Sequence, residues 1–269
     1  MPDKHLTFLG AGTMAEAIAC GLLSAGVLQA REMLACDVAE ERRTHFARDL
    51  GIEATADATD AVEAAATVLV AVKPQQFDAA LAPVTERFGP AKLLISICAG
   101  VTTAHAEAVV ASGTRVVRAM PNTPMLVGRG MAAISRGAAA TDDDLAEAER
   151  LLGAAASCLR VPEDLMDAVT AVSGSGPAYF FRLAELLAEA GAAVGLAPAD
   201  ARRLARVTFD GAARLMAETG DDPAALREKV TSPGGTTEAA LEVFDAKGLA
   251  QTVTDAVRAA RDRGRELGE

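Results

Sequence analysis

The sequence is poor in the residues that bind metals or form disulfides. Its 269 residues include four cysteines and three histidines. No two cysteines form a C-x-x-C pair, and no histidine falls in an H-E-x-x-H or similar ligand spacing. We therefore expect no metal site, and we expect the cysteines to be buried free thiols in a reducing compartment.

Long hydrophobic runs and basic runs are lacking as well. No apolar run reaches the roughly 18 residues that a membrane span needs. The formal net charge is −11, which argues against binding to nucleic acid or to an anionic membrane surface. The first residues, MPDKHLTFLGAG, lead directly into glycines without the apolar stretch of a secretory leader. The sequence thus predicts a cytoplasmic protein with neither nucleic-acid nor membrane partners.

A glycine-rich turn lies near the start of the chain. A short apolar run, residues 5–9, enters Gly10-Ala11-Gly12-Thr13-Met14-Ala15, and a helical pattern follows. The turn fits G-x-G-x-x-A, whose glycines permit a tight turn and bring a pyrophosphate close to the backbone at a helix N-terminus. Residues 33–36 are predicted to form a second strand, and Asp37 follows where an acid typically binds the adenosine ribose. We interpret this region as a dinucleotide site; the alternative is a plain strand–helix turn with a surface aspartate.

Strands alternate with helical patterns through the first half. Near-continuous apolar runs at residues 67–72, 93–97 and 115–119 are typical of buried parallel strands. This alternation predicts the α/β class, with a Rossmann-like, doubly wound parallel sheet over residues 1–161. Ligands bind at the carboxyl ends of such strands. The breaks after the three runs are therefore candidate ligand positions, and ordinary turns are the alternative for each.

The remaining residues, 162–269, are predicted to be all helical. Prolines suit the starts of helices near 177, 198 and 223, and one helix is expected over 198–219. Its stripe of Leu204, Val207 and Leu215 is expected to point inward. Small residues in these stripes suit packing between subunits as well as within one.

The segment SPGGTT, residues 232–237, interrupts the helices, because proline and paired glycines oppose helix formation. Gly234 and Gly235 can aim successive backbone N–H groups inward as an anion nest. Thr236 and Thr237 lead into the next helix, whose N-terminal dipole also favours an anion. A plain connector is the alternative.

Several motifs together resemble the pyrroline-5-carboxylate reductase family. They occur in the family's order over nearly the whole chain: FLGAGTMAEAI near the start, AVKPQ at 71–75, ISICAGVT at 95–102, RAMPNTP at 118–124, DAVTAVSGSGPAY at 167–179 and SPGGTT at 232–237. The last two are specific, whereas the first is shared with many dehydrogenases. The resemblance implies reduction of the C=N bond of 1-pyrroline-5-carboxylate to L-proline by NADPH or NADH, the final step of proline biosynthesis.

The resemblance also implies roles for individual residues. The cofactor would be bound by Leu9, Gly10, Ala11, Gly12, Thr13 and Met14, with Asp37 at the ribose, and by Ala71, Val72, Lys73, Pro74, Cys98, Ala99 and Gly100 beside the nicotinamide. The substrate carboxylate would be held by Ser232, Gly235, Thr236 and Thr237. Thr170 would reach the imine nitrogen; a buried threonine bonded to the backbone is the alternative. A cyclic imine is readily protonated, so hydride addition needs no strong enzyme acid, which agrees with the scarcity of histidine.

Assembly and coenzyme choice are further expectations. The family forms homodimers through the helical domain, often joined into rings such as decamers. Asp37 would repel the 2′-phosphate of NADPH, whereas Arg42 and Arg43 are close enough in sequence to compensate. The choice between NADPH and NADH therefore stays open.

Two other classes compete with this interpretation. Another imine or β-hydroxyacid reductase typically carries a lysine or aspartate on the helix after the first domain, and residues 177–193 contain neither. A non-catalytic nucleotide sensor would need no carboxylate loop.

Overall fold

The computed structural model describes residues 3–268. An eight-stranded sheet forms its first part, in the spatial order β3-β2-β1-β4-β5-β6-β7-β8. The strands are β1 (Lys4–Leu9), β2 (Met33–Cys36), β3 (Glu53–Thr55), β4 (Ala65–Val70), β5 (Leu93–Ser96), β6 (Arg115–Pro121), β7 (Gly130–Arg136) and β8 (Ala156–Arg160).

Neighbouring strands are parallel except for β6 and β7, which are antiparallel. The strand order reverses between β1 and β4, so the predicted doubly wound, Rossmann-like sheet is confirmed. The sequence does not predict β7, which runs antiparallel to β6. That strand begins with glycine and is rich in alanine, both weak strand formers, so no local pattern marks it.

Helices cover the sheet and form the C-terminal part. In chain order they are α1 (Thr13–Ser24), α2 (Glu40–Asp49), α3 (Ala58–Ala64), α4 (Phe77–Leu81), α5 (Thr103–Val109), α6 (Asp142–Leu152), α7 (Met166–Val169), α8 (Gly176–Ala193), α9 (Pro198–Thr219), α10 (Pro223–Lys229), α11 (Thr236–Ala246) and α12 (Leu249–Gly268). A π-helical segment, Thr170–Gly174, links α7 to α8. Within the described residues, no helix is both long and apolar enough to cross a membrane.

The hydrophobic core lies on both faces of the sheet. Side chains alternate along β1: Leu6 and Phe8 are fully buried in one cluster, and Leu9 lies in the other. Thr7 is also fully buried, and its hydroxyl donates to the carbonyl of Ala61 at 2.8 Å, which satisfies the one polar group of this stretch of β1. Burial on both faces is what a central parallel strand requires.

The chain separates into two compact units. Among the described residues, one comprises residues 3–175 together with residues 260–268, and the other comprises residues 176–259. The contact boundary thus follows Ser175, after the π-helical segment rather than before α7. The division at residues 161 and 162 stays a prediction.

The helical unit has almost no core within one chain. Leu204, Val207 and Leu215 of α9 are 55%, 58% and 50% exposed, so the expectation that this stripe points inward is wrong for the single chain. Among the described residues 176–259, the buried apolar side chains are those of Ala201 and Ala205.

Candidate active site

The turn after β1 is shaped by close backbone contact. Gly10 has a φ of +99°, a conformation that favours glycine. A Cβ at this position would lie 2.8 Å from the carbonyl carbon and oxygen of Ala71, so no side chain fits. Gly12 immediately precedes α1 and has open space around it. Because glycine offers no side-chain cap, the first N–H groups of the helix, at Thr13 and Met14, can bind an anion.

Asp37, directly after β2, is tied to this turn. One carboxylate oxygen accepts the N–H of Ala11 at 2.7 Å, and the other accepts the N–H of Ala39 at 2.9 Å. Each carboxylate oxygen can accept more than one hydrogen bond. Asp37 therefore stabilises the glycine turn and keeps the capacity to accept hydroxyl groups.

Two arginines lie beside Asp37. Nε of Arg42 donates to the carbonyl of Ala11 at 2.6 Å, and its Nη2 donates to Glu16 at 2.7 Å. This hydrogen bond lowers the pKa of Glu16, although burial of that carboxyl opposes the shift. Nη1 of Arg43 donates to the carbonyls of Asp37 and Val38 at 2.8 and 2.9 Å. Both guanidinium groups are therefore held next to the acid, and the charge here is mixed.

A cavity of about 270 Å³ opens at the carboxyl ends of β4, β5 and β6. Its lining consists of Met14, Ala71, Val72, Ile97, Met120, Pro121, Asn122, Thr123 and Gly174. A larger hollow of about 430 Å³ lies beside Glu107 and Thr114, at the amino end of β6. We assign function to the smaller one, because ligands of doubly wound sheets bind at the carboxyl ends of strands.

The predicted nicotinamide residues fall into two groups. Ala71 and Val72 line the cavity, whereas Lys73, Pro74, Cys98, Ala99 and Gly100 follow the same strand ends without being part of the lining. Cys98 is buried, and its thiol donates to the carbonyl of Val72 at 3.3 Å. Burial raises the pKa of this thiol to about 11. Cys98 therefore supports the cavity wall and presents no thiolate to it.

Six lining residues were not assigned from the sequence: Ile97, Met120, Pro121, Asn122, Thr123 and Gly174. Four of them belong to the RAMPNTP run, whose position after a predicted strand had marked it as a candidate. Gly174 comes from the distant SGSG segment, and no local pattern relates it to β6.

Thr170 begins the π-helical segment. Its hydroxyl donates to the carbonyl of Met166 at 2.9 Å, which is the backbone-bonded arrangement of the alternative interpretation. A hydroxyl has one hydrogen and two lone pairs, so in this arrangement it can accept but not donate a further hydrogen bond. Gly174 ends the segment, and a Cβ there would lie 2.5 Å from Cε of Met120. π-Helical turns are frequent at functional sites.

The SPGGTT segment belongs to the helical unit. Gly234 has a φ of +69°, but its N–H donates to the Glu238 carboxylate at 2.6 Å. The N–H of Gly235 donates to the carbonyl of Ser232 at 2.9 Å. The prediction that these two glycine N–H groups form the anion nest is therefore wrong, because both already donate to neighbouring protein groups. Gly235 precedes α11 without a side-chain cap, which leaves the N–H groups of Thr236 and Thr237 at the helix start.

No group of three or more histidine, cysteine, aspartate or glutamate side chains suited to a metal occurs among residues 3–268. The glycine turn before α1, the acid after β2 and the cavity at the strand ends define a dinucleotide-dependent oxidoreductase.

Comparison with known proteins gives the family. Residues 5–100 match the model "NADP oxidoreductase coenzyme F420-dependent", and residues 163–267 match "Pyrroline-5-carboxylate reductase dimerisation". The pyrroline-5-carboxylate reductase of Synechocystis is 40% identical, over 98% of each chain. That of Pseudomonas aeruginosa is 38% identical, over 100% of this chain and 98% of the relative.

Solved structures agree. The pyrroline-5-carboxylate reductase of Coxiella burnetii superposes with a TM-score of 0.92 at 34% identity, over 99% of each chain. The Plasmodium falciparum enzyme, solved with NADP bound, gives 0.86 at 26% identity, over 100% of each chain. The chain belongs to the pyrroline-5-carboxylate reductase family, and the match to its dimerisation model indicates a homo-oligomer.

Proposed function

We propose that this protein reduces the C=N bond of 1-pyrroline-5-carboxylate to give L-proline, with NADPH or NADH as hydride donor, as the last step of proline biosynthesis. The observation that carries this proposal is the family membership along the full chain, joined to a glycine turn, an uncapped helix start and a cavity at one sheet edge. The proposal requires no metal.

The residues present fit a dinucleotide. The N–H groups of Thr13 and Met14, with the open space at Gly12, suit the pyrophosphate, and Leu9, Gly10 and Ala11 shape the turn beneath it. Asp37 would accept the ribose hydroxyls. The nicotinamide would lie against Ala71 and Val72 in the cavity wall. Residues 73–74 and 98–100 would support the adjoining strand ends without lining the cavity. When bound, the nicotinamide supplies the hydride.

The substrate is an anionic cyclic imine, and two groups are proposed to orient it. The Thr170 hydroxyl, whose hydrogen is used by Met166, would accept the N–H of the protonated imine. It therefore positions the ring and does not act as the acid. The carboxylate would be held by the hydroxyls of Ser232 and Thr237 and by the N–H groups at the start of α11, including that of Thr236. Gly235 shapes this start, since a Cβ there would lie 2.8 Å from the carbonyl oxygen of Ser232.

We further propose a cytoplasmic homo-oligomer, a dimer or a ring of dimers such as a decamer. The net charge of −11 supports a small-molecule enzyme with neither nucleic-acid nor membrane partners.

A coenzyme-oxidation assay tests this function. The purified protein is mixed with 1-pyrroline-5-carboxylate and NADPH or NADH, and loss of the reduced coenzyme is followed by absorbance. We expect turnover that is abolished in Gly10→Val, because the side chain would collide with Ala71. Turnover of a β-hydroxyacid or an acyclic imine alone would favour another reductase. Coenzyme binding without turnover of any of these would favour a sensor.

A further inference from the structure

One side chain in the cavity wall joins three separate segments. Asn122 directly follows β6, and its Oδ1 accepts the N–H of Met131 in β7 at 2.9 Å. Its Nδ2 lies 3.2 Å from both the carbonyl oxygen and the Oγ of Ser173, in the π-helical segment. The orientation of the amide is fixed by its neighbours, because the N–H of Met131 needs an acceptor and the carbonyl of Ser173 needs a donor.

These contacts bear directly on the shape of the cavity. Ser173 immediately precedes Gly174, which forms part of the wall. Gly174 packs so closely on Met120 that even a Cβ would lie 2.5 Å from the methionine Cε. The π-helical segment thus contacts Met120 through Gly174 and is hydrogen-bonded to Asn122 through Ser173. Its position relative to β6 therefore depends on the Asn122 amide.

We propose that Asn122 is a positioning residue for hydride transfer. It acts through Ser173 and fixes the distance between the segment Thr170–Gly174 and the wall at Ala71 and Val72. An amide transfers no proton, and its acceptor and donor are already bonded to protein groups, so its contribution is geometric. This inference rests on the proposed function. It goes beyond that function by placing the control of hydride geometry in an amide bridge.

Three variants test the bridge. Asn122→Ala removes all its hydrogen bonds. Asn122→Asp has nearly the same shape and keeps the acceptor for Met131, but it turns an oxygen toward the carbonyl of Ser173. Ser173→Ala removes only the Oγ contact. We expect kcat to fall on the order of 10- to 100-fold in the first two, as for a displacement of about 1 Å, and less in the third. Binding of NADPH, measured by its fluorescence, should change little.

Two further measurements separate positioning from simple structural support. With NADPH deuterated at the transferred position, the isotope effect on kcat should rise in Asn122→Ala, because hydride transfer becomes slower than the other steps. Asn122 is also the chain's only asparagine, so selective ¹⁵N-asparagine labelling gives one side-chain NH₂ signal in NMR. That signal should shift in Ser173→Ala.

A matched control is Thr85→Val, whose hydroxyl bridges the carbonyls of Leu81 and Val109 away from the cavity. It should lower Tm without changing kcat or the isotope effect. The inference is overturned if Asn122→Asp folds and keeps wild-type kcat, or if the Asn122 variants behave like Thr85→Val. Should Asn122→Ala fail to fold, Asn122→Asp and Ser173→Ala decide the matter. An inactive wild type would instead contradict the proposed function.

Discussion

At the scale of single residues, substitution can separate the observed structural role of Asp37 from its proposed role at the coenzyme ribose. Its negative charge would repel a 2′-phosphate, and its oxygens accept the N–H groups of Ala11 and Ala39. Asp37→Asn removes the charge but keeps one acceptor, whereas Asp37→Ser shortens the side chain. Both substitutions should raise the ratio of kcat/KM for NADPH to that for NADH. Asp37→Ser should also weaken the binding of both coenzymes. An unchanged ratio in both variants would show that Asp37 does not face the ribose.

Thr237 carries the prediction for the substrate carboxylate. Thr237→Ala should raise KM for 1-pyrroline-5-carboxylate. The expected loss of substrate binding free energy is about 1.5–3 kcal/mol, the range for a hydrogen bond to a charged group. NADPH affinity should stay the same. The control is Thr231→Ala. The Thr231 hydroxyl donates to the carbonyl of Arg227, so it is not expected to donate to the substrate. A defect confined to NADPH binding in Thr237→Ala would assign the segment to the coenzyme instead.

The buried thiols predict a pH effect. Burial raises the pKa values of Cys36 and Cys98 to about 11, well above the ~8.5 of an exposed thiol. In the unfolded chain these thiols ionise first, so the stability they contribute is complete below ~8.5 and is lost as the pH rises toward 11. A thiol reagent at pH 8 should therefore leave both unmodified in the native protein and react with all four cysteines in urea. Rapid native labelling of Cys98, identified by mass spectrometry, would contradict this.

At the scale of elements, β6 is anchored to α7 by a buried arginine. The Arg118 side chain is 6% exposed, and its guanidinium lies 3.4 Å from both Glu163 and Asp167. Glu163 in turn accepts from the backbone and the hydroxyl of Thr103. Arg118→Met should lower the free energy of unfolding by about 3 kcal/mol, the lower end for breaking a buried pair, because these contacts are long.

Urea unfolding measures this loss. The control is Arg87→Met, whose pair with Glu63 is half exposed and should contribute less than about 1 kcal/mol. Equal losses in the two variants would show that the anchor adds nothing beyond a surface pair.

Elements with a clear local pattern were predictable from the sequence, and long-range pairings were not. The predicted bounds of β2 and α9 agree with the structure, because an apolar tetrapeptide and a proline-started helical pattern are local features. The strands β3 and β8 were not predicted, because β3 is only three residues long and β8 is half exposed. The site shows the same division: the turn at Gly10 is local, whereas the bridge from Asn122 to Ser173 spans 51 positions and exists only after folding.

At the scale of the whole molecule, the helical unit lacks a core of its own. In the single chain, large apolar side chains of α8 and α9 are exposed, among them Phe180 at 62%, Phe181 at 69% and Val207 at 58%. Exposed apolar surface of this extent marks a protein–protein interface. The match of residues 163–267 to a dimerisation model supplies the partner, a second copy of this chain. Much of the hydrophobic stabilisation of this unit must then come from association, which links folding to protein concentration.

The double variant Phe181→Asp/Val207→Asp tests this link. Light scattering on the wild type should give the mass of at least two chains of 27.5 kDa each at every concentration studied. The variant should approach a single chain on dilution, because each aspartate would have to be desolvated in the interface without a partner. Its Tm should depend on concentration, and its activity should fall with dissociation. Leu159→Asp, at a 49% exposed position on β8, is the control and should stay assembled. A wild type that is a fully active monomer at all concentrations would contradict the argument, since the exposed face would then have no partner.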